Sequence, residues 1–128
     1  MSDPLPELSE AQMEIMGVVW DRGEATVADV WKVLSSRRRV ARSTVVTMLT
    51  RLQEKGWLSC DDDGHAFRYR ATQPRATTLN TIVSKLVDTA FGGSAENLVM
   101  ALLHGRGVSK AEAAEIRRMI DRAEGRKS

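Results

Sequence analysis

A disulfide framework is excluded at once, because Cys60 is the only cysteine among 128 residues. The chain also has only two histidines, His65 and His104. No nucleophile, base and orienting group can be gathered into a pocket from its residues, so it reads as a protein that is not an enzyme. No apolar run approaches the roughly 18 residues that suggest a membrane span. The start MSDPLPELSE carries neither the basic nor the apolar stretch of a signal peptide. The expectation is a soluble, cytoplasmic protein with no direct membrane binding. Asp61, Asp62 and Asp63 beside Gly64 lack the distant glutamate of an EF-hand loop and read as a solvated turn tip. His104 has no cysteine or carboxylate at ligand spacing. No metal or cofactor is expected.

Aromatic residues make up only 5% of the chain and the apolar positions are mostly aliphatic, which suits a mainly helical protein. A chain of this length supports one domain, or one small domain plus an oligomerisation segment. The formal charge of +2 hides an uneven distribution. Residues 1–36 carry two Lys/Arg against seven Asp/Glu, residues 37–70 eight against four, and the remainder nine against six. The basic excess peaks in the middle third, as a nucleic-acid footprint does.

That third contains RSTVVTMLTRLQEKG, from Arg42 to Gly56. At about 3.6 residues per turn, Val45, Met48, Leu49 and Leu52 form one apolar stripe. Ser43, Thr47, Thr50 and Glu54 gather opposite, with Arg42 before them and Arg51 on the flank. This free side lacks the dense Glu/Lys pairing of a merely solvated helix face. Short hydroxyl side chains allow close approach to base edges or phosphates, and arginines fork onto guanine or phosphate, so Arg42, Ser43, Thr47, Thr50 and Arg51 are candidate DNA contacts. Thr47 and Thr50 have a competing use, bonding back to their own helix.

The next stretch, WLSCDDDGHAFRYRA, holds two strand-like runs around Asp63-Gly64, a dipeptide that favours a two-residue hairpin loop. That loop pairs Asp62 with His65, Cys60 with Phe67, Leu58 with Tyr69 and Trp57 with Arg70. Leu58, Cys60, Phe67 and Tyr69 then share a buried face, and Ser59, Arg68 and Arg70 the other. Cys60 is accordingly read as structural. Helix followed by hairpin is the pattern of a winged helix, with Arg68 and Arg70 of the wing near a phosphate backbone.

Elsewhere, Met1 to Glu7 reads as a mobile arm. Ser9-x-x-Gln12 is a capping box opening a helix with Met13, Met16, Val19 and Trp20 on its packing side. Thr26 caps a second helix that packs through Val27, Val30, Trp31 and Leu34; Val27 is also a candidate for the short strand that pairs with a wing. SSRRRV is a basic turn whose Arg37 to Arg39 are expected to meet phosphate. Beyond Gln73-Pro74-Arg75, Leu79, Ile82, Val83, Leu86, Val87, Ala90 and Phe91 repeat at helical spacing. Gly92-Gly93 breaks this helix. Leu98, Val99, Leu102 and Leu103 mark the next, His104-Gly105-Arg106-Gly107 a turn, and Ser109-x-x-Glu112 a further capping box before Ala113, Ile116, Met119, Ile120 and Ala123.

The fold class is therefore mainly α, an α+β winged helix-turn-helix: a three-helix winged domain with a small β-hairpin, then a C-terminal helical dimerisation segment. The expected boundaries are an arm at 1–7, the winged domain at 8–73, the helical segment at 74–124 and a tail at 125–128. The last three helices carry more apolar surface than one chain can bury. A homodimer interface is expected from Leu79, Ile82, Val83, Leu86, Val87, Phe91, Leu98, Val99, Leu102, Leu103, Ile116 and Ile120, and two-fold symmetry suits an inverted-repeat site in double-stranded DNA.

LSEAQMEIMGVVW, STVVTMLTRLQEKGWL, FRYR, LVDTAFGGSAENLVMALL and VSKAEAAEIRRMI together resemble the penicillinase-repressor family, the BlaI/MecI/CopY group, from Leu8 to about Ile120. The resemblance implies a dimeric repressor that occludes promoters of inducible genes, β-lactam-resistance genes in the best-known members, and is released when a membrane-bound sensor metalloprotease cleaves it. By position it adds Thr44 and Val46 to Ser43, Thr47 and Arg51 as DNA contacts. Val46 departs from the polar or basic residue common there; it can touch a thymine methyl but cannot bond to phosphate. The family is cut at an Asn-Phe bond, near which this chain offers Asn97-Leu98 and Ala101-Leu102, so Ala101 and Leu102 are the candidate cleavage pair. The ending EGRKS lacks the cysteine cluster of the copper-responsive branch. Two other functions fit the residues: a winged module that docks a partner protein, and a repressor released by a small ligand.

Overall fold

Helix α1 (Glu10–Arg22) begins at the expected capping box. The Gln12 amide donates to Ser9 Oγ at 3.1 Å, and the Ser9 amide donates to Gln12 Oε1 at 2.9 Å. Gly23, at φ 83°, ends the helix and returns its N–H to the Val19 carbonyl at 2.8 Å. Thr26 opens α2 (Val27–Arg37) with the same device, its partner being Asp29. A short turn leads to α3 (Arg42–Glu54), then come β1 (Leu58–Asp62), β2 (Phe67–Ala71), α4 (Arg75–Ala90), α5 (Ala95–Gly105) and α6 (Lys110–Lys127). The computed structural model describes residues 5–127, without the side chains of Arg126 and Lys127. The chain divides into two units between Asn80 and Thr81, not after residue 73.

In the first unit the core is made where three helical stripes meet the hairpin. Ile15, Met16 and Val19 from α1, Val30 and Leu34 from α2, and Val45, Leu49 and Leu52 from α3 are fully or almost fully buried, closed over by Trp57, Leu58 and Tyr69. Full burial of such side chains contributes about 1.5–3 kcal/mol each. The sequence stripe for α1 omits Ile15 and Val18, both buried, because this helix is covered on a broader face than one stripe. Leu5 also packs against the core. The Trp57 indole donates to the Pro6 carbonyl at 2.8 Å and the Lys55 ammonium to the Glu7 carbonyl at 2.9 Å. Residues 5–7 of the expected arm are thus tied down, and its first four residues lie outside the described ones.

The hairpin register differs from expectation by two residues. Leu58 pairs with Ala71, Cys60 with Tyr69 and Asp62 with Phe67, leaving a four-residue loop from Asp63 to Ala66. The cause is the Asp63 carboxylate, which accepts the amides of His65 and Ala66 at 2.8 and 2.9 Å and so closes a wider loop than Asp-Gly alone would. A shift of two preserves parity, so Arg68 and Arg70 still face away from Tyr69. Phe67, carried to the tip, is 56% exposed instead of covering Cys60. The strand partner of the wing is Ala25, not Val27: Ala25 and Tyr69 exchange both backbone bonds, at 3.0 and 2.8 Å, while Val27 starts α2.

Among the described residues the second unit has no comparable core. Gly92 and Gly93 adopt positive φ, and the Gly93 amide reaches back to Val87 O at 2.9 Å, ending α4. Ser94 and Ser109 accept the amides of Asn97 and Glu112, both at 3.1 Å, and start α5 and α6. Helix α5 runs on to Gly105, where a turn is expected from His104, and α6 continues to Lys127 through the expected tail. No residue of α5 is buried; Val99, Leu103 and Ile120 remain about half exposed.

Ile15→Ala should lower the unfolding free energy by about 2–5 kcal/mol, whereas Phe67→Ser should change it by less than about 0.5 kcal/mol. Urea unfolding of the two variants checks this; equal losses would show that the core is wrongly placed.

Candidate nucleic-acid interface

Burial of Val45, Leu49 and Leu52 turns the opposite side of α3 outward. Arg42, Ser43, Thr44, Val46, Thr47, Thr50 and Arg51 are all exposed there, and Gln53, absent from the sequence-derived set, joins them. Thr47 and Thr50 do bond back: their hydroxyls donate to the carbonyls of Ser43 and Val46 at 3.0 and 2.9 Å. Their oxygen lone pairs stay free, so each can still accept a hydrogen bond but no longer offers a proton. Donors on this face must come from Arg42, Ser43, Thr44, Arg51 and Gln53.

The beginning of α3 differs from those of α1 and α2. Ala41 stands at the N-cap position and no side chain caps the helix. The Thr44 amide turns back to Ala41 O at 3.1 Å, so the amides of Arg42 and Ser43 and the positive end of the helix dipole are left for an outside anion. Arg42 lies over the Trp31 ring at 4.9 Å from its centroid, and the Trp31 indole is itself fixed by donating to Val40 O at 2.9 Å. Among the described residues neither Arg39 nor Arg51 has an ion-pair partner.

The arginines at the end of α2 and on the wing are held by acids. Arg37 and Arg38 both bind Glu14, at 2.9 and 2.6 Å, which pulls the Glu14 carboxyl down to about 2. Arg68 donates to Asp63 at 2.5 Å and lies 3.5 Å from Glu24; Arg70 contacts the second Glu24 oxygen at 2.8 Å. The Arg68 guanidinium, followed by the loop amides, holds Asp63 at about 2. Asp29 is lowered as well, chiefly by the Thr26 backbone amide. Burial pushes the Tyr69 phenol up, with half-buried Cys60 paired across from it. Glu14, Glu24 and Asp63 are absent from the sequence-derived set. Glu14 and Glu24 lie 23 to 46 residues from the arginines they hold, so only the fold brings them together.

The remaining assigned residues lie in α4 to α6. Leu79, Val83, Leu86, Val99, Leu102, Leu103, Ile116 and Ile120 are exposed; Ile82, Val87, Phe91 and Leu98 are partly covered. Ala101 and Leu102 sit in the interior of α5, whereas Asn97 and Leu98 lie at its first turn, where the Asn97 amide donates to the Ser94 cap.

The site is thus an outward helix face with an open N-terminus, flanked by a hairpin whose two arginines are held by acids. The sequence model of the penicillinase repressor family matches residues 8–122, nearly the whole length. The chain belongs to the penicillinase repressor family. It is 25% identical over 123 residues to the penicillinase repressor of Bacillus licheniformis, covering 96% of both chains. It is 30% identical over 111 residues to the transcriptional regulator BlaI of Mycobacterium tuberculosis, covering 85% of this chain and 80% of that one. The solution structure of the monomeric form of B. licheniformis BlaI in complex with the blaP half-operator is similar at a TM-score of 0.51 and 32% identity, over 57% of this chain and 89% of that chain. The family, the winged-helix fold and the character of a DNA-binding transcriptional repressor thus agree with the sequence reading.

In this penicillinase repressor family member the lowered carboxyls predict an acid response. Glu14 and Asp63 titrate lower in the folded chain than in the unfolded one, so their contribution is complete above about pH 5 and is lost as the pH falls from about 4.5 towards 2. The urea midpoint should be flat from pH 7 to 5 and then fall. In Glu14→Gln the fall should be shallower; an unchanged profile would show that the Arg37–Glu14–Arg38 contacts do not persist in solution.

Proposed function

We propose that this repressor binds double-stranded DNA as a homodimer, laying one α3 from each chain into successive major grooves of an inverted-repeat operator and so occluding a promoter. The observation that supports the reading most is the outward face of α3: hydroxyl acceptors, a methyl-bearing Val46, and Arg42, Arg51 and Gln53 as donors, beside an uncapped helix start. Ser43, Thr44, Val46, Thr47 and Thr50 meet base edges or adjacent phosphates, with Val46 suited to a thymine methyl. Arg39, Arg42 and Arg51 serve phosphate or guanine. Arg68 and Arg70 are secondary contacts, because each must first leave an acid.

The homodimer is supported by the apolar surface that α4, α5 and α6 leave open. Leu86, Val99, Leu102, Leu103 and Ile120 are too many and too exposed for the second unit to stand alone in water. A second copy, interlocking the same helices, covers them and sets the spacing of the two reading helices. The regulated gene is inducible, as the penicillinase for which the relatives are named suggests. A sensor protease that released the repressor at Ala101-Leu102 would need α5 to open first, because a peptide bond inside a helix is not presented as extended chain. Induction would then act on the same helices that hold the dimer together.

Fragments of the native genome selected by binding supply the operator, and Arg51→Ala tests the face. Wild-type affinity should fall by about 10³ to 10⁵ between about 50 and 200 mM salt. Arg51→Ala should weaken binding by about 1–3 kcal/mol with an unchanged circular dichroism spectrum. A variant that binds normally removes Arg51 from the interface, and wild-type binding indifferent to salt favours a protein partner for this face. By light scattering the wild type should have twice the chain mass and Leu86→Glu/Ile120→Glu a single chain mass. A dimeric double variant would place assembly elsewhere.

A further inference from the structure

The Ala25–Tyr69 bridge does more than brace the wing. Both of these residues point into the core, at 0% and 5% exposure, so their neighbours point out. Glu24 is thereby set beside Arg68 and Arg70, the two residues that flank Tyr69 on β2. Each carboxylate oxygen takes one of them: Oε2 lies 2.8 Å from Arg70 Nη2 and accepts from Arg70 Nε at 3.0 Å, while Oε1 lies 3.5 Å from Arg68 Nη1. The two arginines are not held equally. Arg68 has a second partner in Asp63, at 2.5 Å, whereas Glu24 is the only acid on Arg70 among the described residues. The contact is built by the backbone, because the bridge fixes where Glu24 stands whatever its side chain does.

We propose that Glu24 is a positioning residue that restrains the wing and sets how much the wing adds to duplex binding; the inference rests on the DNA-binding reading above. Arg70 can neutralise a phosphate only by leaving Glu24, and the freed carboxylate then repels that phosphate. The wing's contribution is held below what two exposed arginines would otherwise supply. Phosphate contacts carry no sequence information, so the restraint lowers binding to any duplex and leaves discrimination to α3. Asp63 imposes a second, independent restraint on Arg68.

The test uses the full-length chain and a labelled 30-base-pair duplex of random sequence, titrated by fluorescence anisotropy at about 50 to 200 mM salt. Each phosphate neutralised adds about 0.9 to the slope of log affinity against log salt. Glu24→Gln, which keeps the shape and removes the charge, should steepen the slope by about 0.9 per chain and tighten binding at the lowest salt by up to about tenfold. Adding Arg70→Ala to it should abolish both gains. Adding Asp63→Asn instead, which keeps the loop acceptor Oδ1 but loses the charge facing Arg68, should steepen the slope by about a further 0.9. Arg70→Ala alone should change the wild-type slope by much less than 0.9, a reading that does not depend on any Glu24 variant folding. A wild-type slope in a folded Glu24→Gln, a gain that survives Arg70→Ala, or a full loss of about 0.9 in Arg70→Ala alone would each overturn the restraint while leaving the DNA-binding reading intact. If the wild type bound no duplex even at low salt, that reading would fall and the restraint with it.

Discussion

The packing of Val45, Leu49 and Leu52 against α1 and α2 decides which way α3 faces. All three are fully buried, and the hairpin residues Trp57, Leu58 and Tyr69 close the same core from the far side. With the helix pinned by that stripe, its rotation about its own axis is fixed, and Arg42, Val46, Thr47, Thr50 and Arg51 have nowhere to go but outward. The exposed face of α3 is thus a by-product of burial. Any change that loosened the stripe would disturb the exposed face without touching one of its residues.

Charge is organised by the same packing. The middle of the sequence carries a basic excess, but folding sorts its arginines. Glu14 engages Arg37 and Arg38, Glu24 and Asp63 engage the wing, and Arg39 and Arg51 are left without an acid among the described residues. Arg42 is steadied over Trp31 by an aromatic face, which orients a cation without neutralising it. Of the arginines between residues 37 and 70, those without an acid among the described residues therefore lie on α3 or just before it. Exposed ion pairs of this kind add little to stability, so their larger effect here is on which side chains a partner meets first.

Local rules made much of this legible. The capping residues Ser9, Thr26, Ser94 and Ser109 stand at the starts of helices, and the stripe Val45, Leu49 and Leu52 is buried, because caps and helical periodicity depend on neighbours in sequence. The hairpin was half legible. Alternation assigned its faces correctly, but its register turned on the Asp63 side chain bonding to the amides of His65 and Ala66, a choice that Asp63-Gly64 does not announce. The identity of the bridging residue, Ala25 in place of Val27, and the roles of Glu14 and Glu24 depend on contacts across 23 residues or more, which no local pattern encodes. Thr47 and Thr50 show a subtler limit: their place on the exposed face was readable, but not that their protons were already committed.

Helices α4 to α6 complete the account by what they leave uncovered, an apolar surface that the proposed homodimer would bury. The central claim, that the outward face of α3 is where a duplex lands, is tested most directly by amide chemical-shift mapping of the full-length chain during titration with a duplex. The account predicts the largest changes from Arg39 to Arg51, with the amides of Ile15 and Val30 unmoved. Changes concentrated in α5 and α6 with α3 silent would contradict it.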